Sequence, residues 1–209
     1  LILVPRGHLK STLVTVGYAL QRIVADPTIR ILVANATYRL ATYFLTEIKK
    51  HLKHNETLRM LWGDLSFEPE QWSSDAITLS ASKTSHGKKE PTVTAMGIEG
   101  NLVSQHYDLI IGDDLVNRDF INTAEQIEKT VLFYKDALDL LEPSGEFILI
   151  GTRWDDKDLY GWVLDSDNQI REEFDVFTKE AYSGDLDSDE GFVSLFSEKF
   201  TRRVLKRLR

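Results

Sequence analysis

Short apolar runs alternate along the chain with longer segments that have apolar residues at helical spacing. The apolar runs predict buried strands at Leu1–Val4, 29–35, 107–111 and 146–150, with shorter strands at 77–80 and 92–95. Helical spacing predicts helices at 10–20, Tyr38–His54 and 123–141, and Thr123 with Gln126 suggests a capping box at the last. Because apolar strands alternate with helices, we expect an α/β fold with a mainly parallel central sheet flanked by helices.

Composition narrows the class of protein. The 209 residues carry a formal charge of −8 and contain no cysteine. The negative net charge argues against a protein that simply coats nucleic acid, although the chain can still have local basic patches. Without cysteine, disulfides and thiolate metal sites are excluded. No apolar run approaches the length of roughly 20 residues that spans a membrane, and no signal peptide is visible, so we expect an intracellular domain.

The stretch VPRGHLKST follows the first predicted strand directly. Pro5 cannot donate to a strand partner, Gly7 permits a tight turn, and Lys10-Ser11 opens the first predicted helix. Strand, glycine loop and helix with Lys-Ser at its start is the arrangement of a phosphate-binding P-loop. In that arrangement Lys10 contacts the β/γ oxygens of a nucleotide, and the hydroxyl of Ser11 ligates magnesium.

The match to the P-loop pattern is incomplete. G-x-x-x-x-G-K-[ST] would place glycines at positions 4 and 9, which hold Val4 and Leu9. Two other interpretations of the stretch stay open. It can be an ordinary turn, or LVPRG can be the remnant of a protease-cleavage tag, although nothing after Gly7 continues such a tag.

A second candidate half-site is LIIGDD, where an apolar strand ends in Asp113-Asp114. Adjacent carboxylates repel unless a cation or solvent relieves them. We expect Asp113 to hold magnesium through water and Asp114 to polarise the water that attacks the γ-phosphate. The alternative is a helix N-cap or an exposed acidic turn. Since Lys10 and Asp113 both follow apolar strands, they are expected at the same carboxyl edge of the sheet, which favours nucleotide hydrolysis.

Gly151-Thr152-Arg153 ends a further predicted strand and is the third element expected at this edge. Thr152 is a candidate sensor of the γ-phosphate, and Arg153 is a candidate to transmit its loss. The alternative is a strand-end turn with a surface arginine.

Five motifs occur in the order PRGHLKST, RILVANAT, PTVTAMGIEG, YDLIIGDDLV and LIGTRWDDKDLYG. Together they resemble the large terminase subunit of tailed bacteriophages over most of residues 1–163. A weaker similarity at 195–201 resembles the connector ahead of the nuclease domain of that family. The resemblance implies a P-loop ATPase core of the RecA/ASCE-like type at 1–163 and a connector subdomain at 164–209.

The resemblance also implies function. Terminases of this kind are magnesium-dependent ATPases that translocate double-stranded DNA into a procapsid, as molecular motors of viral genome packaging. The expected partners are the portal protein, the small terminase subunit and further copies of the chain in a ring of five at the portal, in the host cytoplasm; the isolated fragment is compatible with a monomer. The deviant Walker A loop then comprises the ATP-binding residues Pro5, Arg6, Gly7, His8, Leu9, Lys10, Ser11 and Thr12.

Within that scheme each motif residue has an implied role. Asp113 is the Walker B acid and, with Ser11, a magnesium ligand, whereas Asp114 is the catalytic carboxylate. Arg6 and Lys10 act near the γ-phosphate. The coupling motif corresponds to Gly151, Thr152 and Arg153.

The sequence departs from the family at several points. The catalytic acid is Asp114 instead of the commoner glutamate. No arginine lies between Arg59 and Arg118, so a trans-acting finger is unassigned; Arg6 acting in cis is one alternative, and the others are Lys83, Lys88 and Lys89. Both ends look internal to a longer polypeptide, because residue 1 lies inside a predicted strand and the chain stops in an uncapped basic amphipathic helix at 201–209. The adenine-binding segment and the three-acid nuclease domain of the family are not found, so we expect no DNA cleavage by this fragment.

Three other functions remain open from the sequence. A helicase-like remodelling ATPase shares the lysine and acid motifs but needs a second RecA-like domain with an arginine motif. A non-motor nucleotide-binding module, such as a kinase, would bind nucleotide without DNA-stimulated turnover. A plain α/β binding domain would leave the loop without a ligand.

Overall fold

Among the residues that the computed structural model describes (1–81, 88–101, 104–117, 123–165, 174–188 and 191–208), one large sheet has eight strands. These are β1 (Ile2–Leu3), β2 (Ile31–Asn35), β3 (Gln71–Trp72), β4 (Ala76–Thr78), β5 (Val93–Gly97), β6 (Tyr107–Asp113), β7 (Leu141–Gly151) and β8 (Phe177–Thr178). The strand order is β3-β4-β5-β2-β6-β7-β1-β8. The pairs β3/β4 and β4/β5 are antiparallel, and all other pairs are parallel. The expected mainly parallel α/β sheet is confirmed.

Helices follow most of the parallel strands. A π-helical segment (Thr12–Tyr18) continues directly into α1 (Ala19–Ala25), and the further helices are α2 (Tyr38–His54), α3 (Glu56–Trp62), α4 (Ala124–Asp139), α5 (Leu159–Leu164) and α6 (Arg202–Leu208). A small antiparallel hairpin pairs β9 (Tyr182–Ser183) with β10 (Val193–Ser194). Within the described part of the chain, no helix combines the length and apolar character needed to cross a membrane.

The sheet separates two apolar cores. On one face Ile31 and Val33 of β2 pack among residues of the π-helical segment, α1, α2 and α3. On the other face Leu32 and Ala34 pack among residues of α4 and α5. All five residues of β2 are buried, because a central parallel strand is covered on both faces. The sheet is therefore a rigid frame for whatever side chains follow its strands.

The structure agrees with the predicted bounds of α2 and with the predicted N-cap of α4. The helix Tyr38–His54 is confirmed. Thr123 caps α4 as expected and accepts the N–H of Gln126 at 3.2 Å. The reciprocal bond of a capping box is not found in the described chain, since Gln126 Oε1 has no hydrogen-bond partner there. The division at residue 163 stays a prediction.

The strand β7 begins earlier than the predicted 146–150. Its register against β6 passes from Tyr107↔Leu141 to Leu109↔Glu146, so the residues between Leu141 and Glu146 form a bulge. The sequence Pro143-Ser144-Gly145 is typical of a turn, but these residues lie in this bulge inside a longer strand.

An ion-pair network anchors the amino ends of the central strands. The buried Arg30 guanidinium donates to Asp108 Oδ1 at 2.8 Å and Oδ2 at 3.0 Å, and to Glu142 Oε1 at 2.8 Å. Burial alone raises the pKa of Asp108, but the bonds from Arg30 outweigh it and lower that pKa to about 2. The network thereby ties the start of β2 to β6 and to the β7 bulge.

The carboxyl ends of five neighbouring strands lie in register at the opposite edge. The aligned pairs are Gly97 with Asn35, Asn35 with Asp113, Asp113 with Ile150, and Gly151 with Leu3. The loops after these residues contain the candidate site.

Candidate phosphate-binding and catalytic site

Lys10 joins the two half-sites that the sequence predicted. Its ammonium donates to Asp114 Oδ1 at 2.8 Å and to Thr152 Oγ1 at 2.7 Å. Lys10 is only 8% exposed, although it carries a charge. A buried ammonium is stable only when it is paired and hydrogen-bonded, as it is here. Three loops of the same sheet edge thus meet at one nitrogen atom.

Asp113 lies fully buried at the end of β6. Its Oδ2 accepts the Thr15 hydroxyl at 2.5 Å, whereas its Oδ1 has no hydrogen-bond partner within the described residues. Burial is the main cause that raises its pKa to about 6, and the neighbouring Asp114 raises it further. The hydroxyls of Thr15 and Ser11 and the charge of Lys10 oppose that rise. The Asp113 carboxylate, whose Oδ1 is unpaired within the described residues, is therefore a candidate ligand for a cation.

The backbone of Asp114 adopts an uncommon conformation. Its φ of 45° lies in the left-handed region, which non-glycine residues adopt at a cost of roughly 1 kcal/mol or more. Two hydrogen bonds hold it there, because Asp114 N–H donates to Ile150 O at 2.8 Å and Ala36 N–H donates to Asp114 O at 3.3 Å. The strand therefore turns abruptly after Asp113, and the Asp114 side chain reaches Lys10 while Asp113 stays in the core.

The loop before the helix has the same kind of backbone at two positions. Gly7 has φ 78°, and Leu9 has φ 61°. The P-loop pattern expects glycine at position 9, and Leu9 adopts the left-handed conformation without being glycine. The loop is also part of the fold, since Val4 N–H pairs with Gly151 O at 3.4 Å. This integration argues against the tag interpretation of the stretch.

The loop after β7 is held by a buried acid. Asp158, which is fully buried, accepts the N–H of Trp154 at 2.9 Å and caps α5 through Gly161 N–H at 2.8 Å. At Gly151 an added Cβ would lie 2.0 Å from Tyr160 Cζ, so the ring leaves room for glycine alone. These contacts fix the loop whose first residue, Thr152, meets Lys10.

The two predicted arginines lie at the margin of the site. Arg6 packs its guanidinium over the Trp154 ring, with Cζ 4.1 Å from the ring centroid. This cation–π contact connects the loop after β1 with the loop after β7. Arg153 pairs with Asp156 at 2.8 Å. Within the described residues, it makes no hydrogen bond or ion pair with Lys10 or Asp114.

A small cavity of about 240 Å³ opens between these groups. It is lined by Arg6, Gly7, Leu9, Lys10, Ser11, Thr12, Asp114 and Lys199. Three of its lining side chains are cationic and one is a carboxylate, although the whole chain has a charge of −8. This excess of cationic side chains around the cavity favours an anionic ligand there.

A second, apolar cavity of about 450 Å³ adjoins the first and shares Leu9 and Lys10 with it. The rest of its lining is mainly aliphatic and aromatic, including Val4, Leu13 and Phe196. A charged cavity beside an apolar one suits a ligand with an anionic end and a flat, apolar end.

Two described residues, Ser11 and Asp113, have side chains with the chemistry of magnesium ligands. Ser11 and Asp113 offer a hydroxyl and a carboxylate oxygen, the hard ligands that Mg²⁺ prefers, and Asp113 Oδ1 lacks another partner within the described chain. No group of three or more acidic or histidine side chains suited to a metal occurs among the described residues. The pair fits an ion that receives its other ligands from phosphate and water.

The lysines proposed as substitutes for a trans-acting arginine lie elsewhere. Lys88 donates to Thr28 O at 3.0 Å and to Asp108 Oδ2 at 3.4 Å, at the amino edge of the sheet. Lys89 follows Lys88 in sequence and is exposed, whereas Lys83 lies outside the described residues. Neither described lysine reaches the cavity within its own chain, so a role toward a neighbouring copy stays a prediction.

Sequence reasoning missed four supporting residues. Thr15 binds Asp113, Asn35 donates to the Asp113 carbonyl at 2.5 Å, Trp154 covers Arg6, and Lys199 lines the cavity. Thr15 carried a usable signal, because a polar residue on the apolar face of the predicted helix needs a buried partner. The positions of Trp154 and Lys199 depend on tertiary folding and left no local signal.

No protein-family model matches this sequence, and a search of curated proteins finds no match.

Proposed function

We propose that this chain is the magnesium-dependent ATPase domain of a viral DNA-packaging motor of the large-terminase type. The observation that carries the ATPase part is the position of Lys10, which hydrogen-bonds both the acid after β6 and the hydroxyl after β7. A buried lysine at the start of a helix, next to a strand-end acid pair, is the arrangement that P-loop hydrolases use on phosphates.

The loop residues bind and orient the triphosphate in this proposal. Lys10 transfers part of its hydrogen bonding from Asp114 to the β/γ oxygens, and Arg6 adds a second positive charge from the Trp154 side. The base and sugar occupy the apolar cavity beside Leu9 and Leu13. Positioning of this kind supplies most of the catalysis of phosphoryl transfer.

Asp114 is the residue that orients the attacking water. It is partly exposed, with 33% of its side chain accessible, whereas Asp113 is fully enclosed. The two adjacent acids therefore have different environments, one open to water and one suited to a cation. Ser11 and Asp113 would hold Mg²⁺, and the ion would supply positive charge toward the phosphates of the nucleotide.

Thr152 has the role of a γ-phosphate sensor in this proposal. Because it shares the Lys10 ammonium with Asp114, any phosphate that draws Lys10 away changes the hydrogen bonding of both residues. A ligand shifts a conformational equilibrium only through such differential contacts. Packaging of double-stranded DNA, the portal and small-subunit partners and the ring of five copies in the host cytoplasm rest on the motif resemblance. In such a motor, DNA contacts go mainly to phosphates.

The ATPase part is tested by measuring binding and hydrolysis of ATP with magnesium in wild type and in Lys10→Ala. We expect the variant to lose hydrolysis, because the group that contacts the phosphates is gone. Lys50→Ala is the matched control, since Lys50 is exposed and pairs only locally with Glu47 at 2.6 Å. Full hydrolysis by Lys10→Ala would overturn the proposal.

The motor part is tested in the parent protein. We expect ATP turnover to be stimulated by double-stranded DNA or by the portal, without separation of the DNA strands. Strand separation would favour the helicase-like alternative, and nucleotide binding without any stimulated turnover would favour a non-motor module.

A further inference from the structure

The C-terminal segment 195–200 packs against the phosphate-binding loop. The Phe200 ring stacks on His8 with centroids 4.5 Å apart and an interplanar angle of 10°. A Cβ added at Gly7 would lie 2.8 Å from Phe200 Cζ, so the aromatic ring rests directly on the loop backbone. The segment therefore forms one wall of the loop although it is remote in sequence.

Within this segment Lys199 reaches the cavity itself. Its ammonium donates to the Gly7 carbonyl at 2.8 Å, across 192 residues of sequence. The same side chain lines the cavity with Arg6, Lys10 and Ser11. An ammonium has three N–H donors, and the Gly7 carbonyl takes one of them, so Lys199 can bind an anion without leaving the loop.

We infer that Lys199 is a phosphate-binding residue of the nucleotide site, supplied in cis by the C-terminal segment. This inference rests on the proposed ATPase function and adds to it a residue that no motif contains. Hydrogen bonds in which both partners are charged are among the stronger ones in proteins. The stack of Phe200 on His8 and the hydrogen bond from Ser194 Oγ to Phe200 O at 2.7 Å hold the segment in place for this contact.

A phosphate bound to Lys199 couples the nucleotide to the C-terminal segment. The nucleotide then stabilises the packing of the segment on the loop, and by linkage that packing strengthens nucleotide binding. The 195–200 segment would thus respond directly to the nucleotide state. No rearrangement of the sheet is needed for that response.

The test is the dissociation constant for ATP with magnesium, measured by calorimetry in wild type, Lys199→Ala and Lys199→Arg. Loss of one charged hydrogen bond from this exposed side chain is expected to weaken binding about tenfold in Lys199→Ala. Lys199→Arg should stay within a few-fold of wild type, because it keeps the charge and the donors. Lys206→Ala is the matched control, since Lys206 belongs to α6 and pairs with Asp187 at 3.5 Å, away from the cavity.

A second readout separates phosphate binding from a purely structural clamp. Hydrogen exchange of the 195–200 amides should slow on addition of ATP in wild type and should change much less in Lys199→Ala. Unchanged ATP affinity in Lys199→Ala, even with a lower melting temperature, would refute the inference and leave the ATPase proposal standing. A wild-type protein that does not bind ATP would refute both.

Discussion

Replacement of Asp113 by asparagine is expected to stabilise the nucleotide-free protein, with an effect that depends on pH. The carboxylate is fully buried, and burial together with Asp114 raises its pKa from 3.8 to about 6. The asparagine side chain has nearly the same shape and could still accept the Thr15 hydroxyl. It carries no charge, so the cost of burying one disappears.

The sign of the effect follows from proton linkage. Between pH 4 and 6 the folded protein binds more protons at Asp113 than the unfolded chain does, so its stability falls as pH rises through this range. Well above pH 6 the Asp113 carboxylate is ionised in both the folded and the unfolded state, so the folded protein carries the full free-energy cost of the buried charge. A shift of about two pKa units corresponds to about 3 kcal/mol, which is the upper bound on the advantage of Asp113→Asn at pH 8. Near pH 4 the advantage should vanish.

The assay is urea unfolding at pH 4.5, 6 and 8, with EDTA and without nucleotide. Asp136→Asn is the control, because Asp136 is exposed on α4, and its effect should stay within roughly 0.5 kcal/mol at every pH. An advantage of Asp113→Asn that is equal at pH 4.5 and 8, or a variant less stable than wild type at pH 8, would refute the reasoning.

Substitutions at four further positions test the site and its frame. Asp114→Asn should keep ATP binding but lose turnover, as measured by phosphate release, because the remaining amide cannot polarise the attacking water; unchanged turnover would move the catalytic acid elsewhere. Thr152→Ala should uncouple hydrolysis from DNA movement in the full-length protein, and normal packaging by that variant would contradict a coupling role. Leu9→Gly should be close to neutral in thermal unfolding, because relief of the left-handed backbone offsets the lost side chain, whereas Leu9→Val should cost about 1 kcal/mol or more; equal melting temperatures would argue against strain at this position. Arg30→Met should lower the free energy of unfolding by about 2 kcal/mol, since it removes charged hydrogen bonds to the half-buried Asp108 and Glu142 carboxylates, and a neutral result in urea unfolding would contradict the network.

Much of the central sheet was predictable because its strands are short apolar runs and the helices beside it have apolar residues at helical spacing. The helix Tyr38–His54 was predicted from apolar residues at near-helical spacing, including Leu40, Tyr43, Ile48 and Leu52. The structure confirms its bounds, but it buries Ala41 and Leu45 with Ile48 and Leu52 and leaves Leu40 and Tyr43 exposed. The strand β8 could not be found in this way. Two residues at its position carry no period, and the strand exists because Phe177 pairs with Ile2 of β1.

The candidate site was predictable where its residues follow strands and not where they come from elsewhere. Lys10 and Asp114 meet because parallel strands deliver their carboxyl ends to one edge. Lys199 reaches Gly7 only after the C-terminal segment has folded back over the loop. At position 9 the motif rule expected glycine, but the surrounding fold imposes the left-handed conformation on Leu9 instead.

The link between catalysis and movement can be short in this architecture. One ammonium holds both Asp114 and Thr152, so under the proposed function a phosphate that binds Lys10 weakens the hydrogen bonds to both residues. Thr152 begins the loop whose Trp154 N–H is bound by the buried Asp158 at the start of α5. A change at Thr152 therefore reaches α5 through a few backbone atoms and one carboxylate. Under the proposed function, the water-orienting Asp114 and the sensor Thr152 therefore respond to the same hydrogen-bond donor, and the contacts of Asp158 pass the response at Thr152 to α5.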